Sequence, residues 1–183
     1  MAEKSIAVVE AVLIADAPSS FVTRRIGEIQ VELGGIPGDR HFGLLRKADS
    51  RQKIYPRGQL IANRRQISIV SVEECRQIAR NMGLAEIRPE WLGANLLLKG
   101  LDPLTTLPLG ARLVFASGAG LICEGENMPC KDPGEVIESE IYPSAAAKKF
   151  VPAAKKLRGI VCSVEREGAI RKNDVVTIIR PQS

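Results

Sequence analysis

With 183 residues, 45% of them apolar and 26% charged, and a net charge of +5, the chain is long enough for one domain over residues 1–183 with a single core, and its composition excludes disorder. No apolar run approaches the roughly 18 residues of a membrane span, and Met1–Lys4 leads into a strand-like Ser5–Ala15 with no export pattern, so a cytoplasmic protein is expected. Four cysteines with no two-residue spacing, and His41 as the one histidine, supply neither a disulfide framework nor the ligands of a zinc ribbon or zinc enzyme.

Period-2 or continuous apolar runs predict strands at Ile6–Ile14, Ile26–Leu33, Gln66–Val70, Asn95–Leu98, Arg112–Ala116, Gly120–Cys123, Gly159–Glu165 and Val175–Ile179. Between them lie turn-forming positions at Gly34-Gly35, Pro108 with Gly110, Gly118–Gly120, Glu167-Gly168 and Asn173-Asp174. One helix is predicted from Val72 to about Met82. Ser71 caps its start, Glu74 returns the capping bond, and Gly83 stops it. Its stripe of Cys75, Ile78, Ala79 and Met82 faces inward. A second helix starts at Asp132 and Pro133. A third, from Ala145 onward, is interrupted by Pro152. The Arg46–Ala62 stretch lacks periodicity and is an insertion or a ligand-covering loop. Short, irregularly spaced strands without regular helix alternation make the chain mainly β with a few helices, and barrel-like.

Charge is unevenly placed. From Arg40 to Gln66 eight basic residues (Arg40, Arg46, Lys47, Arg51, Lys53, Arg57, Arg64, Arg65) stand against one acid, Asp49, a net +7 that leaves −2 for the rest. Such an excess either attracts an anion, such as a phosphate-bearing small molecule, nucleic acid or an acidic partner, or forms a solvated basic face. Phe42 and Tyr55 are the only aromatics in the segment, too few for base stacking, so nucleic acid is not the expected partner.

The cysteines separate by local context. Cys162 alternates with Ile160 and Val164, Cys123 shares a face with Leu121, and Cys75 sits on the helix stripe; all three are expected to pack as small hydrophobes. Cys130 follows Glu124–Pro129, a stretch with no apolar periodicity that is expected to be loop. Lys131 and the free N–H groups of the following helix favour its thiolate, whereas Glu126 and Asp132 oppose it. It is either a reactive thiol or an incidental loop cysteine.

In order and spacing these landmarks resemble the MOSC domain, named for the C-terminal domain of molybdenum cofactor sulfurase. The resemblance runs through Gly35-Ile36-Pro37-Gly38-Asp39-Arg40-His41-Phe42-Gly43, Arg65–Val70 with Glu73-Glu74, Leu92–Leu96, and Leu109–Leu113. It ends with Pro129-Cys130 and with Arg158–Val161 through Gly168 and Asp174–Val176. One position departs from the family pattern: members commonly carry Glu where this chain has Ala94 in Gly93-Ala94-Asn95-Leu96, so a carboxylate is missing unless Glu124 or Glu126 replaces it.

The resemblance implies a barrel-like fold and a tie to the molybdenum cofactor, with Cys130 as the reactive residue and as a soft molybdenum ligand. Arg40, His41, Arg64, Arg65 and Asn95 are then the candidate cofactor-binding residues, the arginines holding the phosphate of molybdopterin. Asp39 either serves that site or pairs with Arg40 in a turn, and His41 is either a packed turn residue or a proton donor. Two activities follow: an oxidoreductase with molybdenum on Cys130 that reduces a small, N-hydroxylated type of substrate, or a sulfur carrier with a Cys130 persulfide, served by a sulfur-donor or redox partner protein. Pyridoxal phosphate, used by a separate domain of the full-length sulfurase, is not expected here.

Overall fold

The computed structural model describes residues 3–141 and 145–181. Among these residues there are twelve strands: β1 (Lys4–Ile14), β2 (Arg24–Ile26), β3 (Glu28–Val31), β4 (Leu45–Lys47), β5 (Leu60–Ala62), β6 (Ile67–Ser71), β7 (Leu96–Lys99), β8 (Arg112–Phe115), β9 (Gly120–Glu126), β10 (Ile160–Arg166), β11 (Gly168–Arg171) and β12 (Val175–Ile179). Three helices, α1 (Val72–Met82), α2 (Asp132–Ile141) and α3 (Ala146–Ala153), pack outside them, with a 3-10 turn at Pro89–Leu92. Strands β12, β8, β9, β10, β6, β7 and β1 pair in that order, and β12 pairs back onto β1, closing a seven-stranded barrel. Closure removes the open edges that an exposed sheet would present. No helix among the described residues is long and apolar enough to cross a membrane.

Strand β1 staples the barrel, because its first half pairs with β12 and its second half with β7 and β2. A register shift between Val9 and Ala11 marks a bulge. Ahead of it Ala7 and Val9 enter the barrel; beyond it Val12 and Ile14 do, while Ala11 and Leu13 turn outward under the helices. A bulge shifts the side-chain alternation by one residue, and the run from Ala11 to Ile14 is buried on both faces because the helices cover its outer side.

All pairings around the barrel are antiparallel except β6 with β7. A parallel pair needs a crossover, and α1 with the 3-10 turn supplies it. Helix α1 begins at Ser71, whose hydroxyl accepts from the Glu74 N–H at 3.1 Å, and ends at Gly83 with φ 70°. The Glu74 carboxylate does not close a reciprocal capping box. It is buried and accepts instead from the Thr105 N–H and hydroxyl, both at 2.8 Å. The stripe of α1, with Trp91, Leu97, Ile137 and Phe150, forms a second apolar cluster between barrel and helices. α3 continues through Pro152 and stops one residue later; a proline in a last turn removes little helical bonding.

Four features differ from the sequence reading. The run from Ile26 to Leu33 divides at Gly27, since β2 pairs with β1 and β3 with β11. Gly168, read as a turn residue, opens β11. The aperiodic Arg46–Ala62 stretch is framed by the β4–β5 hairpin, whose faces are mostly exposed and so carry no apolar alternation. Strand β9 runs on to Glu126, because Glu124 and Glu126 face polar partners rather than apolar ones.

Two glycines with positive φ differ in what surrounds them. Gly159, at φ +83°, lies so close to β6 that an added Cβ would sit 2.0 Å from the Ile69 carbonyl oxygen. Gly110, at φ +79°, has open space around it. Gly159→Ala is expected to cost on the order of 3 kcal/mol or to prevent folding, because a clash adds to the strain, whereas Gly110→Ala costs about 1 kcal/mol from strain alone. Chemical denaturation checks this, and equal costs would contradict the close approach.

The buried Asp39 carboxylate ties the Pro37–Gly43 turn to the barrel. One oxygen accepts from the Ala15 N–H at 2.8 Å and Asn95 Nδ2 at 2.9 Å, the other from the His41 N–H at 2.9 Å, with His41 Nδ1 at 3.1 Å. Burial is the largest influence and opposes its charge, but the bonds from the His41 ring, the Ala15 N–H and the His41 N–H outweigh it and hold the carboxyl below its usual range. The stabilisation is therefore complete above the unfolded value of about 3.9 and fades as pH falls through the lower folded value. Asp39→Asn should lose on the order of 2–4 kcal/mol at neutral pH. Urea unfolding across pH should show the gap from wild type closing below about pH 4.

Candidate functional site

A cavity of about 560 Å³ opens on the flank of the barrel beside the Pro37–Gly43 turn, walled by that turn, the β4–β5 hairpin, the outer faces of β6 and β10, and the approach to α2. Volumes of this size suit a small molecule or cofactor. Its apolar wall includes Phe21, Phe42, Leu92 and Val161. Its polar wall is dominated by cations, with Arg40, Arg46, Lys47, Arg51, Arg65 and Arg158 against two carboxylates, Asp49 and Asp132.

The two carboxylates are engaged. Asp49 pairs with Arg46 and, at 3.2 Å, with Arg51. Asp132 faces the Cys130 thiol, with Sγ 3.7 Å from Oδ2. Arg65 donates Nη2 to Asn127 Oδ1 at 2.8 Å. Burial, with repulsion from Arg51 and Arg46 added, lowers its pKa to about 10. Arg158 is buried in the wall and donates one nitrogen to the Leu92 carbonyl. Its Nη1 is enclosed without a partner among the described residues. Burial lowers its pKa to about 10, and negative charge on the Cys130 or Cys75 sulfur acts in the other direction.

Of the candidates from sequence, the cavity brings together Cys130, Arg40, His41 and Arg65. Arg64 points away, largely exposed, and meets Glu124 at 3.4 Å; consecutive residues entering a strand face opposite sides, so one of the two arginines had to leave the pocket. Asn95 is buried outside the lining, where Oδ1 accepts from the Ser68 N–H at 2.9 Å and Nδ2 donates to Asp39. It holds the turn rather than facing the cavity. Asp39 pairs with His41 and not with Arg40. His41 thus has Nδ1 tied to a carboxylate while its ring lines the cavity, an arrangement that orients the imidazole.

The four thiols divide as the sequence suggested. Cys75, Cys123 and Cys162 are buried and Cys130 is partly exposed. Burial pushes the Cys75 thiol up to about 12 and raises those of Cys123 and Cys162. The neighbourhood of Cys130 differs from expectation. Lys131 is occupied by Glu135 at 2.9 Å and Glu126 by Lys156 at 2.7 Å, so the cations that share a cavity with the thiol are those of the wall, Arg158 among them. Ala94, where the family pattern has Glu, is fully buried in the outer apolar cluster. Neither Glu124 nor Glu126 lines the cavity.

Sequence reasoning missed Arg158, Asn63 and Asn127. Asn63 donates to the His41 and Gly43 carbonyls at 2.8 and 3.0 Å and accepts from the Arg65 N–H. Asn127 aims the Arg65 fork and donates to Ser68 Oγ at 3.3 Å. An Arg beside a glycine at the mouth of a buried strand was the available signal for Arg158.

Comparison with known proteins agrees with this architecture. A family model described as MOSC domain matches residues 37–177. A protein of Bacillus subtilis (strain 168) named "Putative metal-sulfur cluster biosynthesis proteins YuaD" is 52% identical over 171 residues, 92% of this chain and 88% of that one. The crystal structure of the YuaD protein from Bacillus subtilis matches with a TM-score of 0.96 at 49% identity over 100% of both chains. The crystal structure of YiiM from Escherichia coli, at 14% identity and a TM-score of 0.60 over 96% of this chain and 71% of that one, shares the fold. The chain is a member of the MOSC domain family.

Proposed function

We propose that the whole chain acts as one MOSC module that carries sulfur in a reducing cytoplasm, with Cys130 holding the sulfur as a persulfide. The observation that carries this reading is that Cys130 alone of the four thiols is not buried, and that it stands in the wall of a cation-rich cavity. The name of the YuaD relative refers to metal-sulfur cluster biosynthesis, a process that consumes delivered sulfur. In loading, the Cys130 thiolate attacks the outer sulfur of a donor persulfide and the donor thiolate leaves. In delivery, an acceptor thiolate attacks the outer sulfur on Cys130, the S–S bond breaks, and Cys130 departs as a thiolate. Both steps are exchanges, without net oxidation. Exposed Leu44, Leu45, Ile54 and Leu60 on and beside the hairpin give a protein partner an apolar surface near the cavity.

Molybdenum cofactor binding is the second reading, favoured by the unpartnered Arg158 nitrogen and the crowded guanidinium groups, which suit a phosphate. In that case Arg65, Arg158 and Arg40 would hold the pterin phosphate and Cys130 would offer a soft sulfur ligand. Bound there, the cofactor would supply a redox-active metal for reducing a small substrate. Within this chain, His41 would remain oriented by Asp39 and the apolar wall would limit water.

Cys130→Ser should keep the fold and abolish sulfane sulfur on the protein, because a hydroxyl cannot hold a persulfide. Cyanolysis of protein freshly isolated from cells, with metal and pterin analysis of the same sample, measures both readings. Sulfane sulfur near one per chain in wild type and none in the variant is expected. Retention of sulfane sulfur by Cys130→Ser would remove the carrier assignment, and stoichiometric molybdenum and pterin without labile sulfur would favour the second reading.

A further inference from the structure

Arg158 is 6% exposed, yet only one of its terminal nitrogens meets a protein acceptor. Nη1 is enclosed and unpartnered among the described residues, in a side chain that lines the same cavity as Cys130. A buried charged donor without an acceptor is costly and calls for a partner that the described residues do not supply. Arg65 lines the same space, its fork aimed by Asn127. Among the described residues no carboxylate forms an ion pair with either guanidinium: Asp49 is taken by Arg46 and Arg51, and Asp132 faces the thiol. The cavity therefore combines a nucleophilic sulfur with two guanidinium groups suited to several oxygens of one anion.

We propose that this site loads Cys130 from thiosulfate, a sulfane sulfur attached to a sulfonate head, with Arg158 and Arg65 binding that head. The inference rests on the sulfur-carrier reading and names the donor. The thiol proton passes toward Asp132 and to solvent. The Cys130 thiolate attacks the outer sulfur of thiosulfate and a new S–S bond forms. The bond between the outer sulfur and the sulfonate sulfur breaks, and its electron pair leaves with sulfite, whose charged oxygens stay against Arg158 and Arg65. Cys130 is left as a persulfide. No external oxidant or reductant is needed, since the sulfane sulfur only changes partners.

The test uses the full chain, reduced and free of sulfane sulfur, mixed with thiosulfate; sulfite release and the intact mass are followed. One sulfur gained at Cys130 for each sulfite released is expected. Arg65→Gln and Arg158→Lys should slow loading from thiosulfate roughly tenfold or more, as loss of a charge-assisted hydrogen bond predicts. Sulfate should compete with thiosulfate on the wild-type protein, which keeps the test valid if Arg158→Lys does not fold. Unchanged thiosulfate rates in folded arginine variants, or no competition by sulfate, would overturn the inference. Loading from cysteine persulfide but not from thiosulfate would also overturn it while leaving the carrier reading intact. Failure of both donors at Cys130 would remove the carrier reading and this inference together.

Discussion

The site depends on one guanidinium group taken out of water with too few acceptors, Arg158, beside a second, half-buried one, Arg65. Arg158 sits behind Leu92 with one nitrogen unpartnered, and Arg65 is fixed by Asn127 among other cations. Burying charge without a counter-ion opposes folding, so the surrounding fold must hold these groups in place. Around the guanidinium groups it does so with backbone and amide bonds at Asn63, Asn95 and Asn127, while the Asp39 carboxylate anchors the turn behind them. Amides satisfy donors and acceptors without cancelling charge, so the pocket stays electropositive.

The closed barrel supplies the rigidity that this arrangement needs. Ser68 on β6 and Val161 on β10 look outward into the cavity while their neighbours Ile67, Ile69, Ile160 and Cys162 fill the barrel. The same alternation separates two kinds of sulfur. Cys162 faces inward, where burial keeps the thiol protonated, and Cys130 lies beyond the end of β9, where the chain leaves the barrel and heads for α2. Gly159 brings the residue after Arg158 against the Ile69 carbonyl, so the guanidinium is set by a backbone contact as well as by its own hydrogen bond.

Much of this was legible in the sequence where burial is one-sided. The eight apolar runs all became strands within a few residues, α1 kept its Ser71 cap and Gly83 stop, and the faces of Cys75 and Cys162 followed from periodicity. Elements without a buried face were not legible: β4 and β5 are largely exposed, and the bulge in β1 falls at Glu10, with apolar residues on both sides masking the change of alternation. At the site, the dense basic segment drew notice to Arg64 and Arg65 together, although only one of them enters the cavity. Arg158 follows Lys155, Lys156 and Leu157, so by composition it resembles a solvated face. Its role comes from tertiary packing against the distant 3-10 turn, with the Leu92 carbonyl as its partner.

The central claim is that Cys130 and the guanidinium groups of Arg65 and Arg158 form a single anion-binding site, and protection of the thiol measures it most directly. The rate of alkylation of Cys130 by iodoacetamide, mapped by mass spectrometry, is followed as inorganic phosphate replaces chloride at constant ionic strength, so that general screening is held fixed. The account predicts a saturable slowing at Cys130 as phosphate fills the cavity. A rate that phosphate leaves unchanged would contradict it.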